Sequence, residues 1–444
     1  MSDASRSKRS RSSDKVALIS LVAFILSCCV FAFLGGVAVG HLRLFPYHHL
    51  EAVQELLLSP VNSPHYLTPI RHEKPGVEVL LQERVAPGVT LISSYWNDSG
   101  WDAGLRLIDE AGNVLHTWQT NIGQVWPELD RKWLKSQRMG YVHGTLLLEN
   151  GDIVFNFEYA GLVRIDACGN VKWKLRRGNH HSVVRDEHGD FWVCGSRPVN
   201  RNSEWADRVG KFPGLEAPLI EDLAMKVSPD GEVLEEISVL EALYGSGYQR
   251  LFWKNSWKPT DDVTHMNKVE PLPAALDGQY PLFGPGDLLL SLRNLQAVLV
   301  LDAKSHLVKW MATDPFVSQH DPQFIGDGWI GLFDNNRDGT DTGQVLGGSR
   351  IIAIRPDSNE VRVLYSGTPE QPFYTDVAGK FQILPNENLL ITEALGGRVF
   401  EVTPDGKLVW QWVHEPYSKT HVAEVMEGKR YPFSKAQVAS WACR

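Results

Sequence analysis

Three stretches of this chain put histidine beside an amide or a carboxylate: Gly178-Asn-His180-His181, Asp262-Val-Thr-His265-Met-Asn267 and Ser318-Gln319-His320-Asp321. A neighbouring amide or carboxylate can fix which ring nitrogen carries the proton, leaving the other as a directed base or nucleophile. Arginine follows two of the stretches at one strand's distance, in Ser291-Leu-Arg293-Asn294 and in Leu332-Phe-Asp334-Asn335-Asn336-Arg337. A guanidinium offers two parallel donors to two oxygens, which suits a tetrahedral oxyanion. If the stretches converge, His180, His181, His265 and His320 with Arg293 and Arg337 make a catalytic set for an anionic group. The same histidines also fit a three-histidine zinc or copper centre, and each taken singly fits a strand-bonding role.

What must bring them together is a repeated phrase. It reads Gln382-Ile-Leu-Pro-Asn-Glu-Asn-Leu-Leu-Ile, then Gly397-Arg-Val-Phe-Glu-Val-Thr-Pro-Asp-Gly-Lys-Leu-Val-Trp410. It recurs as Thr145-Leu-Leu-Leu-Glu-Asn-Gly-Asp-Ile-Val-Phe155, then Gly161-Leu-Val-Arg-Ile-Asp-Ala-Cys-Gly-Asn-Val-Lys-Trp173. Six copies can be laid out, their second turns at Asp109–Gly112, Asp166–Gly169, Pro229–Gly231, Asp302–Ser305, Asp357–Asn359 and Pro404–Gly406. Turn residues that tolerate positive φ, between alternating β-branched and aromatic runs, predict four short strands per copy. A lone four-stranded unit cannot cover its apolar faces, and radial repetition solves that. The expectation is an all-β fold, a six-bladed β-propeller over 88–416. Blade openings then converge on one channel, where the histidine stretches open blades three, four and five. Trp118, Trp173, Trp310 and Trp410 are expected to pack between blades. Residues Arg197 to Lys258, with a helix-like run Glu235–Tyr244, form an excursion expected to roof the channel.

The first fifteen residues carry Arg6, Lys8, Arg9, Arg11 and Lys15, and residues 16–40 then run without a charge. That length suits a single transmembrane signal anchor, with the basic tail 1–15 on the cytoplasmic side. The propeller would face the periplasm, or the lumen or exterior of a eukaryotic cell, behind a stem over 41–87 that contains the apolar stretch Leu50–Leu58. A C-terminal extension follows over 417–444.

The net charge of −9 and pI near 5.9 speak against a nucleic-acid partner, and there is neither a Gly-rich phosphate loop nor a paired-cysteine zinc motif. No cofactor is expected. Asp334, Asn336 and Asp338 resemble the first half of a calcium loop, but Val345 stands where a bidentate Glu is needed, so they are weak calcium candidates and no EF-hand. Outside the apolar segment lie Cys168, Cys194 and Cys443, of which at most two can pair with each other.

The openings of blades four and five, Asp262-Val-Thr-His265-Met-Asn267 with Ser291-Leu-Arg293 and Gln319-His320-Asp321 with Phe333-Asp334-Asn335, together with the closing Gly397–Trp410, resemble the arylsulfate sulfotransferases. The resemblance implies a six-bladed propeller outside the cytoplasm. There a histidine takes a sulfuryl group from an aryl sulfate and passes it to a phenol. It makes His265 and His320 the supporting histidines and Arg337 or Arg350 the anion-holding arginine. Asn267, Gln319, Asp321, Asn335, Asn336 and Arg350 become substrate-binding candidates. The family's sulfated histidine comes late in the propeller, yet between His320 and His414 this chain has none. Either His180 or His181 replaces it, or the chain is a non-catalytic propeller serving as a binding or accessory subunit of a membrane complex.

Overall fold

The copies of the phrase fold into antiparallel sheets, and in several the second turn is locked by its own side chain. Asp109 Oδ1 accepts from the backbone of Ala111 and Asn113, Asp166 Oδ1 from Cys168 and Asn170, and Asp302 Oδ1 from Lys304 and Ser305. The computed structural model describes residues 19–37, 66–129, 141–200, 210–254 and 261–441. Six such sheets form the blades of a β-propeller.

From the inside outward, blade two runs Val142–Leu147, Ile153–Phe157, Gly161–Ile165 and Val171–Leu175. Blade three runs His180–Arg185, Phe191–Val199, Leu219–Val227 and Val233–Ser238. Blade four follows with Met266–Pro271, Leu288–Leu292, Ala297–Leu301 and Val308–Ala312. Blade five has His320–Phe324, Ile330–Asp334, Arg350–Arg355 and Glu360–Ser366. Blade six has Lys380–Ile383, Leu389–Glu393, Arg398–Val402 and Leu408–Val413, with Gly76–Val79 added outside. Blade one is Val89–Trp96, Asp102–Ile108 and Val114–Gln119, and its innermost strand is Val425–Tyr431, from the far end of the sequence. Residues on both sides of the 88–416 span thus take part in blades, and the ring closes by joining the two ends of the chain.

The cores lie between adjacent blades. Trp173 Nε1 donates to Pro229 O of blade three, Trp410 Nε1 to Glu110 O of blade one, and Trp310 packs on Ile330 and Leu332 of blade five. Trp118 is buried against Phe155 and Val163 of blade two. Of the Arg197–Lys258 excursion, the described parts bury Phe212, Leu240, Leu243 and Phe252 against Leu290 and Leu299, in the core between blades three and four. The helix expected from Glu235 starts only at Val239, because Val233–Ser238 pairs with Leu219–Val227 as an outer strand. Ser238 Oγ then caps the helix by accepting from Glu241 N.

Residues before Tyr66 form a unit of their own. Among them, Ile19–Val37 is an exposed apolar helix long enough to cross a membrane, as an anchor or a signal sequence. The basic tail and the stretch Leu50–Leu58 lie outside the described residues.

Candidate active site in the channel

The innermost strands of blades two to five all start with a break in register. It falls between His143 and Thr145, His180 and Val183, Met266 and Lys268, and His320 and Gln323. A bulge re-aims the side chains beside it. His181, His265 and Asp321 hold φ near 55°, 47° and 48° there, an unfavourable conformation for residues with a Cβ that the surrounding sheet maintains.

The consequence is a buried cluster of five imidazoles. Ring centroids of His143, His180 and His265 lie 4.5, 5.0 and 5.0 Å from His181, and His320 lies at 6.5 Å. Carboxylates fix them. Glu158 Oε2 lies 3.1 Å from His143 Nδ1 and accepts from His181 N at 3.1 Å, while its Oε1 lies 3.2 Å from His181 Nδ1. His180 Nδ1 contacts His181 Nδ1 at 2.8 Å, and His180 Nε2 stands 3.4 Å from Asp222 Oδ1 without the alignment of a hydrogen bond. Asp222 Oδ2 in turn accepts from Thr264 Oγ1 and Met266 N. His265 Nδ1 is 2.5 Å from Asp262 Oδ2, and its Nε2 is buried without a hydrogen-bond partner. His320 Nδ1 faces two acceptors, Ser318 O at 2.9 Å and Asn335 Oδ1 at 2.7 Å, with the Asn335 amide held by Thr375 O and Ala378 O. Its proton therefore sits on Nδ1, leaving Nε2 as an acceptor.

Burial, then the positive groups around them, keeps His181 and His320 well below the usual imidazole range, so both are neutral. For His180 burial works downward, but Asp222 outweighs it and the pKa is raised. Tyr95, Tyr141 and Tyr159 are held protonated, chiefly by burial. Tyr159 lies 4.8 Å from His180 between ring centroids.

The candidates from the sequence divide in two. His180, His181, His265 and His320 come together, and Arg293 is close enough to push the His320 pKa down. Arg293 is half-buried and its guanidinium feels both Asp262 and Arg337, while Arg337 is exposed with Nε 3.7 Å from Asp376 Oδ2. The others are occupied structurally. Asn267 Nδ2 donates to Gln319 O and Gln319 Nε2 to Ser291 Oγ and Ala297 O, stitching blades four and five. Asp321 pairs with the buried Lys268 at 3.0 Å, beside a separate cavity of about 240 Å³ lined by Glu270, Lys380 and Glu427. Arg350 binds Asp334 and Pro315 O. Asn336 donates to Leu346 O and Gly348 O, and Asp338 accepts from Thr340, Val345 and Leu346. The three calcium candidates thus each serve loop groups of their own. Cys194 is a buried free thiol and Cys168 is disulfide-bonded.

Sequence reasoning missed His143, Glu158 and Asp222. The first had a signal: Val142-His143-Gly144 stands immediately before the blade-two phrase, as His180-His181 opens the innermost strand of blade three. Blade six brings no histidine to the cluster, and blade two does.

A six-bladed propeller with a histidine cluster at its blade openings is the class that fold and site define. The family model described as arylsulfotransferase (ASST) matches residues 144–415, well over half the chain, and the chain belongs to that family. No curated protein matches it. Similar solved structures include a protein of unknown function from Bacteroides caccae, 13% identical with TM-score 0.46, over 74% of this chain and 94% of that one. Virginiamycin B lyase from Staphylococcus aureus is 10% identical with TM-score 0.39, over 84% and 89%. Kuenenia stuttgartiensis hydrazine synthase is 11% identical with TM-score 0.39, over 68% and 71%.

Proposed function

We propose that this protein transfers a sulfuryl group from an aryl sulfate to a phenolic acceptor, and that His265 carries the group. The observation behind this reading is the state of the His265 ring. Asp262 accepts a hydrogen bond from its Nδ1–H, which leaves the Nε2 lone pair buried, without a hydrogen-bond partner, and free to attack sulfur. His143 is bound to Glu158, and His180 and His181 are bound to each other. In the first step the Nε2–S bond forms as the S–O bond to the aryl group breaks, and the aryl oxide leaves. In the second, the acceptor oxygen attacks sulfur, the N–S bond breaks, and His320 Nε2 takes the phenol's proton. Arg293 would face the sulfuryl oxygens, with Arg337 nearer solvent.

The helix Ile19–Val37 would act as an uncleaved anchor, with the basic tail inside and the propeller outside the cytoplasm. The disulfide at Cys168 supports an oxidising compartment. The full-length chain in detergent is to be given 4-nitrophenyl sulfate and a phenol. Nitrophenol release that is abolished in His265→Ala, with a sulfated His265 peptide when acceptor is withheld, supports the assignment. No release across a range of aryl sulfates overturns it. That result, with stoichiometric co-purifying membrane proteins, would favour the accessory-subunit reading, to which the missing late histidine also points.

A further inference from the structure

The channel holds three buried ligand groups that the transfer step proposed above does not use: His143 of blade two, Glu158 at the turn after the next strand, and His181 of blade three. We propose that His143, Glu158 and His181 bind a divalent transition-metal ion of the zinc class. The site is independent of the sulfuryl-transfer reading, because neither His265 nor His320 is among its ligands.

Each of the three residues brings one ligand atom, and these atoms all lie within 4.8 Å of one another. The Nδ1–O separations are 3.1 Å for His143 and 3.2 Å for His181. Bonds of about 2.0–2.1 Å in a tetrahedron place neighbouring ligand atoms about 3.3 Å apart, so each histidine already stands at ligand spacing from one Glu158 oxygen, and the set closes from within 4.8 Å to share one ion. Two imidazoles and one carboxylate are a set that divalent zinc accepts, with one position left for water or a ligand oxygen. All three side chains are buried, and Glu158 is held in place by its backbone bond to Tyr141 O.

A second feature points the same way. His180 Nδ1 and His181 Nδ1 meet at 2.8 Å, so only one of them can carry the proton between them. If His181 is the acceptor, its lone pair also faces a carboxylate oxygen at 3.2 Å, two acceptors without a donor in a dry interior. His180 Nε2 is likewise buried without a hydrogen-bond partner. A cation between His181 Nδ1 and the Glu158 oxygen gives both lone pairs a positive partner, and His180 then carries its proton on Nε2, which faces Asp222.

The test uses the full-length chain in detergent, stripped with a chelator and titrated separately with Zn²⁺ and Co²⁺. Expected are one saturable equivalent per chain by elemental analysis, visible Co²⁺ absorption of low-symmetry N/O ligation, and a raised melting temperature. His143→Gln and Glu158→Gln should each weaken binding at least about tenfold, while His306→Gln, on the outer surface, leaves it unchanged. Absence of a saturable equivalent, or equal binding in wild type and both site variants, overturns the proposal. Should the site variants fail to fold, the wild-type Co²⁺ spectrum decides, since a spectrum identical to that of free aqueous Co²⁺ refutes ligation by imidazole.

Discussion

Replacing Gly144 by alanine tests whether the bulge of blade two sets the position of the histidine cluster. Gly144 holds φ near 68°, and a Cβ added there would stand 1.6 Å from the carbonyl oxygen of His181. An ordinary contact needs roughly 3 Å or more, so the His181 backbone must retreat by more than an ångström or blade two must part from blade three. Gly406→Ala is the matched control, with φ near 80° and nothing within 4 Å of the added carbon. The control loses only the left-handed penalty, about 1 kcal/mol. Gly144→Ala adds an overpacking cost of about 1–3 kcal/mol, for a total of about 2–4 kcal/mol. With an unfolding entropy of about 0.8 kcal/mol/K for the roughly 380 residues from Tyr66 onward, these become shifts of about 1 °C and about 2.5–5 °C in Tm. In the aryl sulfate assay, an ångström of misplacement should lower turnover about a hundredfold in Gly144→Ala and not in Gly406→Ala. The reasoning is refuted if the two variants melt together, or if Gly144→Ala turns over like wild type.

Lys268→Met leaves Asp321 and Glu270 facing each other without their shared ammonium, at 3.0 and 3.1 Å in the native protein, and should cost about 3–5 kcal/mol by thermal or denaturant melting. Adding Asp321→Asn should recover part of that loss. Burial raises the Asp109 carboxyl, but hydrogen bonds from Lys435 and Asn113 outweigh it and hold the pKa down at about 2. Its folded value is below its unfolded one, so its stabilisation is present above about pH 4 and is lost as pH falls through about 2. Asp109→Asn should flatten that part of a pH–melting profile. Arg293→Gln should lower turnover about 10²–10³-fold, and Arg293→Lys should restore only part of it, because a point charge replaces a planar fork. Trp410→Phe, which deletes the donor to Glu110 O across the closing blades, should cost about 1 kcal/mol by melting.

Much of the scaffold is legible because its determinants are local. Asp109, Asp166 and Asp302 close their own turns within a few residues, so the repeat and the blade count follow from the string alone. The tryptophans after those turns announce the blade interfaces for the same reason. The helix start at Val239 was harder to place, since Glu235–Ser238 satisfies a helical pattern until a strand partner claims its backbone.

The site divides along the same line. His180, His181, His265 and His320 could be picked out because each opens a blade beside a polar neighbour, and the common register of blades makes openings converge. Spacing could not tell Asn335, which orients His320, from Asn336, which ties down a loop, although the two are adjacent. Nor could it separate Arg293 from Arg350, whose guanidinium is occupied by Asp334. The sequence by itself determined the blades, the apolar helix and the histidine-bearing openings, since hydrogen bonds within turns and strand alternation are short-range. Only the tertiary structure decided that blade two, not blade six, supplies the fifth imidazole, that Glu158 faces it, and that Asp222 faces His180. Those contacts depend on bulges, and on a ring closed by a strand from the opposite end of the chain.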